Sequence, residues 1–170
     1  MNDTRDGSQL CTACGLCCQG MFHSYANVTE REIVTLEANG FVILSGTRGP
    51  AFSLPCTRLE NNHCSIYPER PEACRSYRCH LLNRYLAGEI DLEQGLEIVG
   101  KVKNLGARIL SKIGSGAPGE SLWRRIQAQG AEQILFDGTD PETCLDIVSL
   151  LALISRHFDS RVKPGRVSPS

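Results

Sequence analysis

Cysteine distribution is the feature that most constrains this chain. The 170 residues include nine cysteines, and all but one of them lie between Cys11 and Cys79. Such a density is typical of disulfide-bonded scaffolds and of metal sites. The first residues lack the apolar stretch of a secretory signal, so we expect a cytoplasmic protein, in which thiols stay reduced. Metal binding is therefore favoured over disulfides and over a set of buried, unliganded thiols.

Overall composition is that of a soluble globular protein, with 41% hydrophobic and 22% charged residues. Lys plus Arg number 18 and Asp plus Glu number 19, so no basic field favours nucleic acid, and we expect no such partner. The longest apolar run, residues 147–154, is much shorter than the roughly 20 residues that span a bilayer. We therefore expect no membrane partner.

The fold is predicted to be mostly α, with an irregular, metal-organised, cysteine-rich N-terminal module and a small content of short strands. Composition divides the chain into a cysteine-cluster metal-binding module over residues 8–88, a helical region over 89–160 and a flexible tail over 161–170. Short extended segments are expected at 41–44 and 51–54.

Capping and stop signals predict the helices. Thr29 has the form of a capping box and starts the first predicted helix. One helix is expected from Pro71 to about Ala87, another begins at Asp91, and a further one lies near 121–136. The last helix is predicted to run from Asp140 to near His157.

The first cysteine cluster has the spacing C-x2-C-x2-C-C and comprises Cys11, Cys14, Cys17 and Cys18. Two intervening residues let a tight turn bring two thiolates to one centre, as in zinc ribbons. The C-x2-C-x2-C run also matches three of the four ligands of a bacterial-ferredoxin-type cluster. Adjacent Cys17 and Cys18 tend to point apart, so either they serve different centres or only one of them is a ligand.

The second cluster comprises Cys56, Cys64, Cys74 and Cys79. The first two bracket a polar loop, which indicates a knuckle closed by metal. Cys74 and Cys79 are five residues apart, roughly 140° around a regular helix. Either they serve different centres or the helix is interrupted between them. Cys74 should lie near a helix N-terminus, where the dipole favours the thiolate.

Basic residues accompany the second cluster, and four arginines lie in this segment: Arg70, Arg75, Arg78 and Arg84. Four cysteinates around Zn²⁺ or an oxidised four-iron cluster carry a net charge near −2, which these side chains could offset. The alternative is a solvated helix face.

Other candidate ligands are His63, His80 and His23, each close in sequence to a cysteine. Any of them could replace a thiolate or act as an outer-shell residue. Cys144 lies apart from the clusters and is expected to be a small core residue.

The cysteine pattern with the stretch C-x-I-Y-x2-R-P-x2-C-R, residues 64–75, resembles the YkgJ-type CxxCxxCC zinc- or iron-chelating domain family over about residues 8–82. The resemblance implies a metal site and no assigned reaction. Flagellin lysine-N-methylases have a similar cysteine pattern. This chain has no visible S-adenosylmethionine signature, so we do not carry that activity over.

These observations predict a metal-binding protein that holds zinc or an iron centre, including a 4Fe-4S cluster, in a structural or accessory role. The alternative is an iron-sulfur redox or electron-transfer protein, or an accessory subunit of a modifying enzyme. A protein partner is expected; the sequence leaves open whether the chain is an enzyme, and no catalytic residue is assigned. The predicted ligands are the eight clustered cysteines: Cys11, Cys14, Cys17, Cys18, Cys56, Cys64, Cys74 and Cys79.

Overall fold

The computed structural model describes residues 6–46, 49–114, 122, 125 and 140–159. Its architecture is mostly α with a cysteine-rich N-terminal region, as predicted. The described α-helices are α1 (Ser8–Cys14), α2 (Ile33–Ala38), α3 (Glu72–Ser76), α4 (His80–Leu86), α5 (Leu92–Ile113) and α6 (Pro141–His157). The described strands are β1 (Tyr25–Asn27), β2 (Leu44–Gly46), β3 (Gly49–Ser53), β4 (Leu59–Glu60) and β5 (His63–Cys64).

Helices α5 and α6 begin where the sequence predicts, because each has a side-chain cap. The Asp91 carboxylate accepts a hydrogen bond of 2.8 Å from Gln94 N, and the Gln94 Oε1 atom accepts one of 3.0 Å from Asp91 N. At the start of α6, Asp140 accepts a hydrogen bond of 3.0 Å from Thr143 N. Such caps satisfy backbone donors that have no partner within the helix.

The larger hydrophobic core joins these two helices to α1 and α4. The segments that bear Cys14 and Cys79 therefore pack on the same core as α5 and α6. Its buried members include Leu10, Leu16, Met21, Leu81, Leu82, Tyr85, Val99, Val102, Ile109, Ile147, Leu150 and Phe158. The division of the chain into modules 8–88 and 89–160 stays a prediction.

Helix α1 is a feature that sequence reasoning missed. We expected a tight turn at the C-x2-C spacing. Instead Ser8–Cys14 is helical and buries Leu10, which is only 2% exposed. Gly15 ends the helix at a φ of 62°, a left-handed conformation that favours glycine.

The single helix predicted from Pro71 to about Ala87 is wrong, because the chain leaves the helical conformation between α3 and α4. Tyr77 is extended with ψ at 126°, and Cys79 is extended with ψ at 165°. Cys79 then serves as the N-cap of α4, with its sulfur accepting a hydrogen bond of 3.4 Å from Leu82 N. The interruption puts Cys74 and Cys79 on separate helices.

A small antiparallel sheet in the order β1-β3-β2 covers the second core. The segment predicted at 41–44 forms a strand only from Leu44 onward, whereas the segment at 51–54 largely coincides with β3. The capping box predicted at Thr29 is present and leads through a 3-10 turn into α2. The buried residues of this smaller core are Val28, Leu36, Phe41, Phe52 and Leu54.

The tail predicted over 161–170 lies outside the described residues, as does most of the helix predicted near 121–136. Among the described helices none is both long and apolar enough to cross a membrane.

Candidate metal centre

Four of the predicted ligands form a first set, which we call thiol group A: Cys11, Cys14, Cys17 and Cys79. Cys11 and Cys14 lie on α1, Cys17 lies in the turn that follows it, and Cys79 precedes α4. Cys14 and Cys79 both pack against the larger core. Group A therefore joins the C-terminal end of α1 to the beginning of α4.

The other four predicted ligands form thiol group B: Cys18, Cys56, Cys64 and Cys74. Cys56 N donates a hydrogen bond of 2.7 Å to the carbonyl oxygen of Cys18, which brings two distant segments together. Cys64 lies on β5 of the β4–β5 hairpin, and Cys74 lies on α3. Cys56 packs against the smaller core. The two thiol groups thus rest on different hydrophobic clusters.

Electrostatic coupling links the members of group A. Burial raises the pKa of Cys14 to about 12, and repulsion from Cys79 and Cys11 adds to the rise. Burial also raises the pKa of Cys17 well above its ordinary value, with Cys79 and Cys14 adding to it. The adjacent Cys18 contributes less to the pKa of Cys17 than either of them. Cys17 is therefore assigned to group A by its two largest thiol neighbours, although Cys18 affects its pKa more than Cys11 does.

Group B shows the same behaviour. Burial raises the pKa of Cys18 to about 11, and Cys56 and Cys64 contribute more to that rise than Cys11 does. Burial is the largest cause that raises the pKa of Cys74 to about 12, and repulsion from the three other members of group B raises it further. Cys74 lies in the first turn of α3, so it is near a helix N-terminus as expected. Stabilisation of its thiolate by the helix dipole stays a prediction.

Arg70 is the cation that acts on both groups. Its guanidinium stacks 3.8 Å from the centre of the Tyr67 ring. Its charge lowers the pKa of Cys11 in group A and of Cys18 and Cys74 in group B, against the larger effect of burial on each. The Arg70 Nε atom is buried and has no hydrogen-bond partner among the described residues.

The four arginines predicted to offset thiolate charge have different roles. Besides Arg70, Arg78 lowers the pKa of a thiol in group A, although burial still raises that pKa overall. Arg75 instead pairs with Glu72 at 3.2 Å, and Arg84 pairs with Glu89 at 3.4 Å. Proximity in sequence to a cysteine therefore does not decide which arginine acts on the thiols.

Two further cations were not expected from the sequence. Lys103, on α5, donates a hydrogen bond of 2.8 Å to the carbonyl oxygen of Ala13 and lowers the pKa of Cys14 against burial. Arg58 similarly opposes the burial-driven rise in the pKa of Cys56. Lys103 lies far from the cysteines in sequence, so no spacing pattern predicts its role.

Asn62 was also missed as a residue of the site. Its Nδ2 donates hydrogen bonds of 2.8 Å to the carbonyl oxygens of both Thr12 and Ala13, and its Oδ1 accepts one of 3.0 Å from Gln19 Nε2. Asn61 and Asn62 have positive φ angles, 48° and 69°, and form the turn of the hairpin. Two asparagines in sequence indicate such a turn, but nothing in the sequence indicates the contact with α1.

The histidines predicted as alternative ligands lie near the cysteine segments. His63 is exposed, with Nδ1 2.9 Å from the carbonyl oxygen of Asn61. His23 meets Tyr77 edge-on at 5.0 Å between ring centres, and His80 is the first residue of α4. Their role as ligands stays a prediction.

The side chains do not form a ready-made coordination shell. In the described part of the chain, no group of three or more His, Cys, Asp or Glu residues is arranged so as to hold a metal ion. No disulfide joins any of the nine cysteines, all of which are described. The donor chemistry suits a metal, since two sets of four thiols are what zinc and iron-sulfur centres use. The assignment of all eight clustered cysteines as ligands stays a prediction.

The profile of one protein family, described as "CxxCxxCC: Putative zinc- or iron-chelating domain", matches residues 10–96. This match covers more than half of the chain and includes all eight cysteines of the two thiol groups. The chain belongs to this family. Membership in the CxxCxxCC family supports metal binding in general, with zinc or iron as the metal. No curated protein and no solved structure matches the chain.

The CxxCxxCC match extends farther than the resemblance noted over residues 8–82. It continues through α4 and into the first turns of α5. That end point is consistent with the packing, since α4 and α5 both contribute to the core beneath group A.

Proposed function

We propose that this protein binds two metal centres, one in each thiol group, and that the metal has a structural or accessory role. The observation that carries the proposal is the packing of the thiols on two different cores. Cys14 and Cys79 pack against the larger core, whereas Cys56, which is bonded through its N to Cys18 O at 2.7 Å, packs against the smaller one. Four thiolates complete the tetrahedral shell of a structural zinc ion. The proposed ligands are the eight members of groups A and B.

A structural role follows from the size of the elements that bear the ligands. Helix α3 has five residues, and β4 and β5 have two residues each. Helices and hairpins of this length are marginal by themselves in water. A metal that ties α3 to the hairpin in group B, and α1 to α4 in group A, contributes its binding free energy directly to folding.

Binding requires the thiol groups to lose protons and to contract. Burial raises the pKa of Cys14 and of Cys74 to about 12, so these thiols are protonated at neutral pH. A bound metal ion would displace those protons, because the thiolate and not the thiol is the ligand. Four thiolates then leave no open coordination position, which disfavours a hydrolytic role.

An iron-sulfur centre with a redox role is the second candidate function. The C-x2-C-x2-C spacing of group A favours it. Backbone N–H donation to a sulfur also favours it, since such bonds tune cluster potentials, and Leu82 N donates to the sulfur of Cys79 at 3.4 Å. Arg70 and Lys103 supply positive charge beside the thiols.

An accessory role implies a protein partner. The chain has a formal net charge of only −1, which does not favour nucleic acid as that partner. A cytoplasmic location fits the proposal, because thiolate sites stay reduced and able to bind metal there.

The metal content and visible spectrum of protein purified without oxygen test these functions. About two zinc ions per chain and no colour would support the structural role. Iron with a matching amount of acid-labile sulfide and a brown absorption would support the redox candidate. Protein that contains no metal, binds none when reduced and has oxidised thiols would contradict both.

A further inference from the structure

The side chain of Asn62 connects the two thiol groups. It lies in the turn of the hairpin that bears Cys64 of group B. Its amide nitrogen donates hydrogen bonds of 2.8 Å to the carbonyl oxygens of Thr12 and Ala13. These two residues lie between the group A ligands Cys11 and Cys14. A single side chain is thus bonded to the ligand segment of one group while its backbone belongs to that of the other.

The connection is specific in its chemistry. Carbonyl oxygens in the last turn of a helix have no partner within the helix, and Asn62 supplies donors to two of them at the end of α1. The Asn62 Oδ1 atom accepts a hydrogen bond of 3.0 Å from Gln19 Nε2, which holds the amide in one orientation. Lys103 Nζ also donates a hydrogen bond of 2.8 Å to the carbonyl oxygen of Ala13, at the same end of α1.

The backbone on both sides is shaped for this contact. Asn62 has a φ of 69°, a conformation that asparagine and glycine tolerate better than other residues. Gly15 lies directly beneath the amide, and a Cβ atom there would overlap Asn62 Oδ1 and lie 2.9 Å from Asn62 Cγ. The turn and the end of α1 therefore fit each other closely only because a glycine and a left-handed asparagine face one another.

A second connection runs parallel to the first. Cys17 and Cys18 are adjacent in sequence but belong to different groups, and Cys18 O accepts the 2.7 Å hydrogen bond from Cys56 N. An ion that orders either group therefore also orders part of the chain that supplies ligands to the other. When the first ion orders a shared segment, the second ion binds to a segment that is already ordered. The entropy lost on binding the second ion is therefore smaller.

We propose that Asn62 is a positioning residue that makes metal binding at groups A and B cooperative, so that occupation of one group raises the affinity of the other. This inference rests on the proposed function, because it requires a metal in each group. Asn62 is not itself a ligand. Its effect is transmitted through the backbone of α1 and the hairpin.

Titration of the reduced, metal-free full-length chain with Co²⁺ under anaerobic conditions tests the proposal, using the absorption of thiolate-bound Co²⁺ as the readout. The parent should take up two equivalents in one cooperative phase. Asn62→Gly keeps a residue suited to positive φ and removes the amide. We expect it to bind two equivalents in two resolved phases, with the second affinity lowered about tenfold.

Asn61→Gly is the matched control. Asn61 has the same sign of φ, at 48°, but its side chain makes none of the bonds to Thr12 and Ala13. This variant should titrate like the parent. Asn62→Asp is a second test that keeps the size of the side chain and its tolerance of positive φ while removing the two N–H donors. It should separate the phases as Asn62→Gly does.

The outcomes distinguish this inference from the proposed function. Uptake of two Co²⁺ by all variants with the parental cooperativity would overturn the role of Asn62 and leave the two-centre proposal standing. An equal effect of Asn61→Gly would overturn the role of Asn62 as well. Failure of the parent itself to bind two Co²⁺ through its thiols would overturn the proposed function, and the inference with it.

Discussion

Cys56 N donates a 2.7 Å hydrogen bond to the carbonyl oxygen of Cys18. The bond joins the end of the first cysteine cluster to the start of the second. It places Cys18 beside the thiols of the second cluster, although its sequence neighbour Cys17 lies with Cys79. Thiol groups A and B therefore each combine cysteines from both sequence clusters. The predictions below test this grouping.

Loss of Cys14 should release metal, whereas loss of Cys144 should not. Cys14→Ser removes a group A ligand that packs against the larger core, so we expect about half of the bound metal to be lost and the free energy of unfolding to fall by at least about 2 kcal/mol. Cys144 lies on α6, outside both groups. Metal analysis and denaturant titration check this pair, and identical behaviour of both variants would contradict the metal assignment.

Cys74 and Cys79 should control different centres despite their proximity in sequence. Cys74→Ser is expected to empty group B and leave group A occupied, and Cys79→Ser is expected to do the reverse. The reason is the break between α3 and α4, which places the two thiols on separate helices. Stoichiometry of Co²⁺ uptake by each variant and by the double variant measures this. The double variant should bind no ion, and complete loss in either single variant would argue for one shared centre.

Metal affinity should rise steeply with pH between about 6 and 9. The pKa of Cys18 is raised to about 11 and those of Cys14 and Cys74 to about 12, so these three thiols are protonated in this range when no metal is bound. Metal binding then releases their protons, which calorimetry in buffers of different ionisation enthalpy can count.

The stability of the metal-free protein should respond to pH in the opposite direction. A buried thiol such as Cys14 has a higher pKa in the folded protein than in the unfolded chain, where it is near 9. Its contribution to the free energy of unfolding is complete below the unfolded pKa and is lost as pH rises toward the folded pKa. Chemical denaturation of metal-free protein between pH 7 and about 11 measures the loss. Stability that increased over this range would contradict the raised pKa values.

Gly15→Ala should destabilise the protein and weaken both centres. Its φ of 62° costs alanine about 1–2 kcal/mol, and the added methyl group would displace the Asn62 amide. Gly100→Ala is the control, because a Cβ at that position in α5 meets nothing within 4 Å. Since alanine is the better helix former, Gly100→Ala should be stabilising by about 0.5–1 kcal/mol and leave metal binding unchanged. Thermal unfolding and Co²⁺ titration compare the two variants, and equal effects would argue against the close fit between Gly15 and the Asn62 amide.

Arg70→Gln should lower the metal affinity of both thiol groups. The charge of Arg70 lowers the pKa of Cys11 in group A and of Cys74 in group B, against the larger effect of burial. We expect about a tenfold loss at each centre, within the range typical for outer-shell residues. Arg75→Gln serves as the control, because Arg75 is paired with Glu72 at 3.2 Å. Competition with a chelator measures both variants, and a loss confined to Arg75→Gln would reverse the assignment.

Local signals were read well from the sequence. Thr29, Asp91 and Asp140 each cap the predicted helix, because a cap depends on residues only three positions away. The polar loop predicted between Cys56 and Cys64 contains the turn at Asn61 and Asn62. The sequence does not locate the break at residues 77–79, because Pro71 and Gly88 mark only the ends of the segment. The cysteine spacing allows an interruption between Cys74 and Cys79, but only as one of two alternatives.

The sequence by itself determined the family of the chain, because a CxxCxxCC pattern is a matter of residue type and spacing. Only the tertiary structure decided that Asn62 and Lys103 both meet the end of α1. These contacts join residues separated by tens of positions, such as Asn62 and Thr12 or Lys103 and Ala13. No local preference specifies such pairs, since they form only when α1, the hairpin and α5 pack against their common cores.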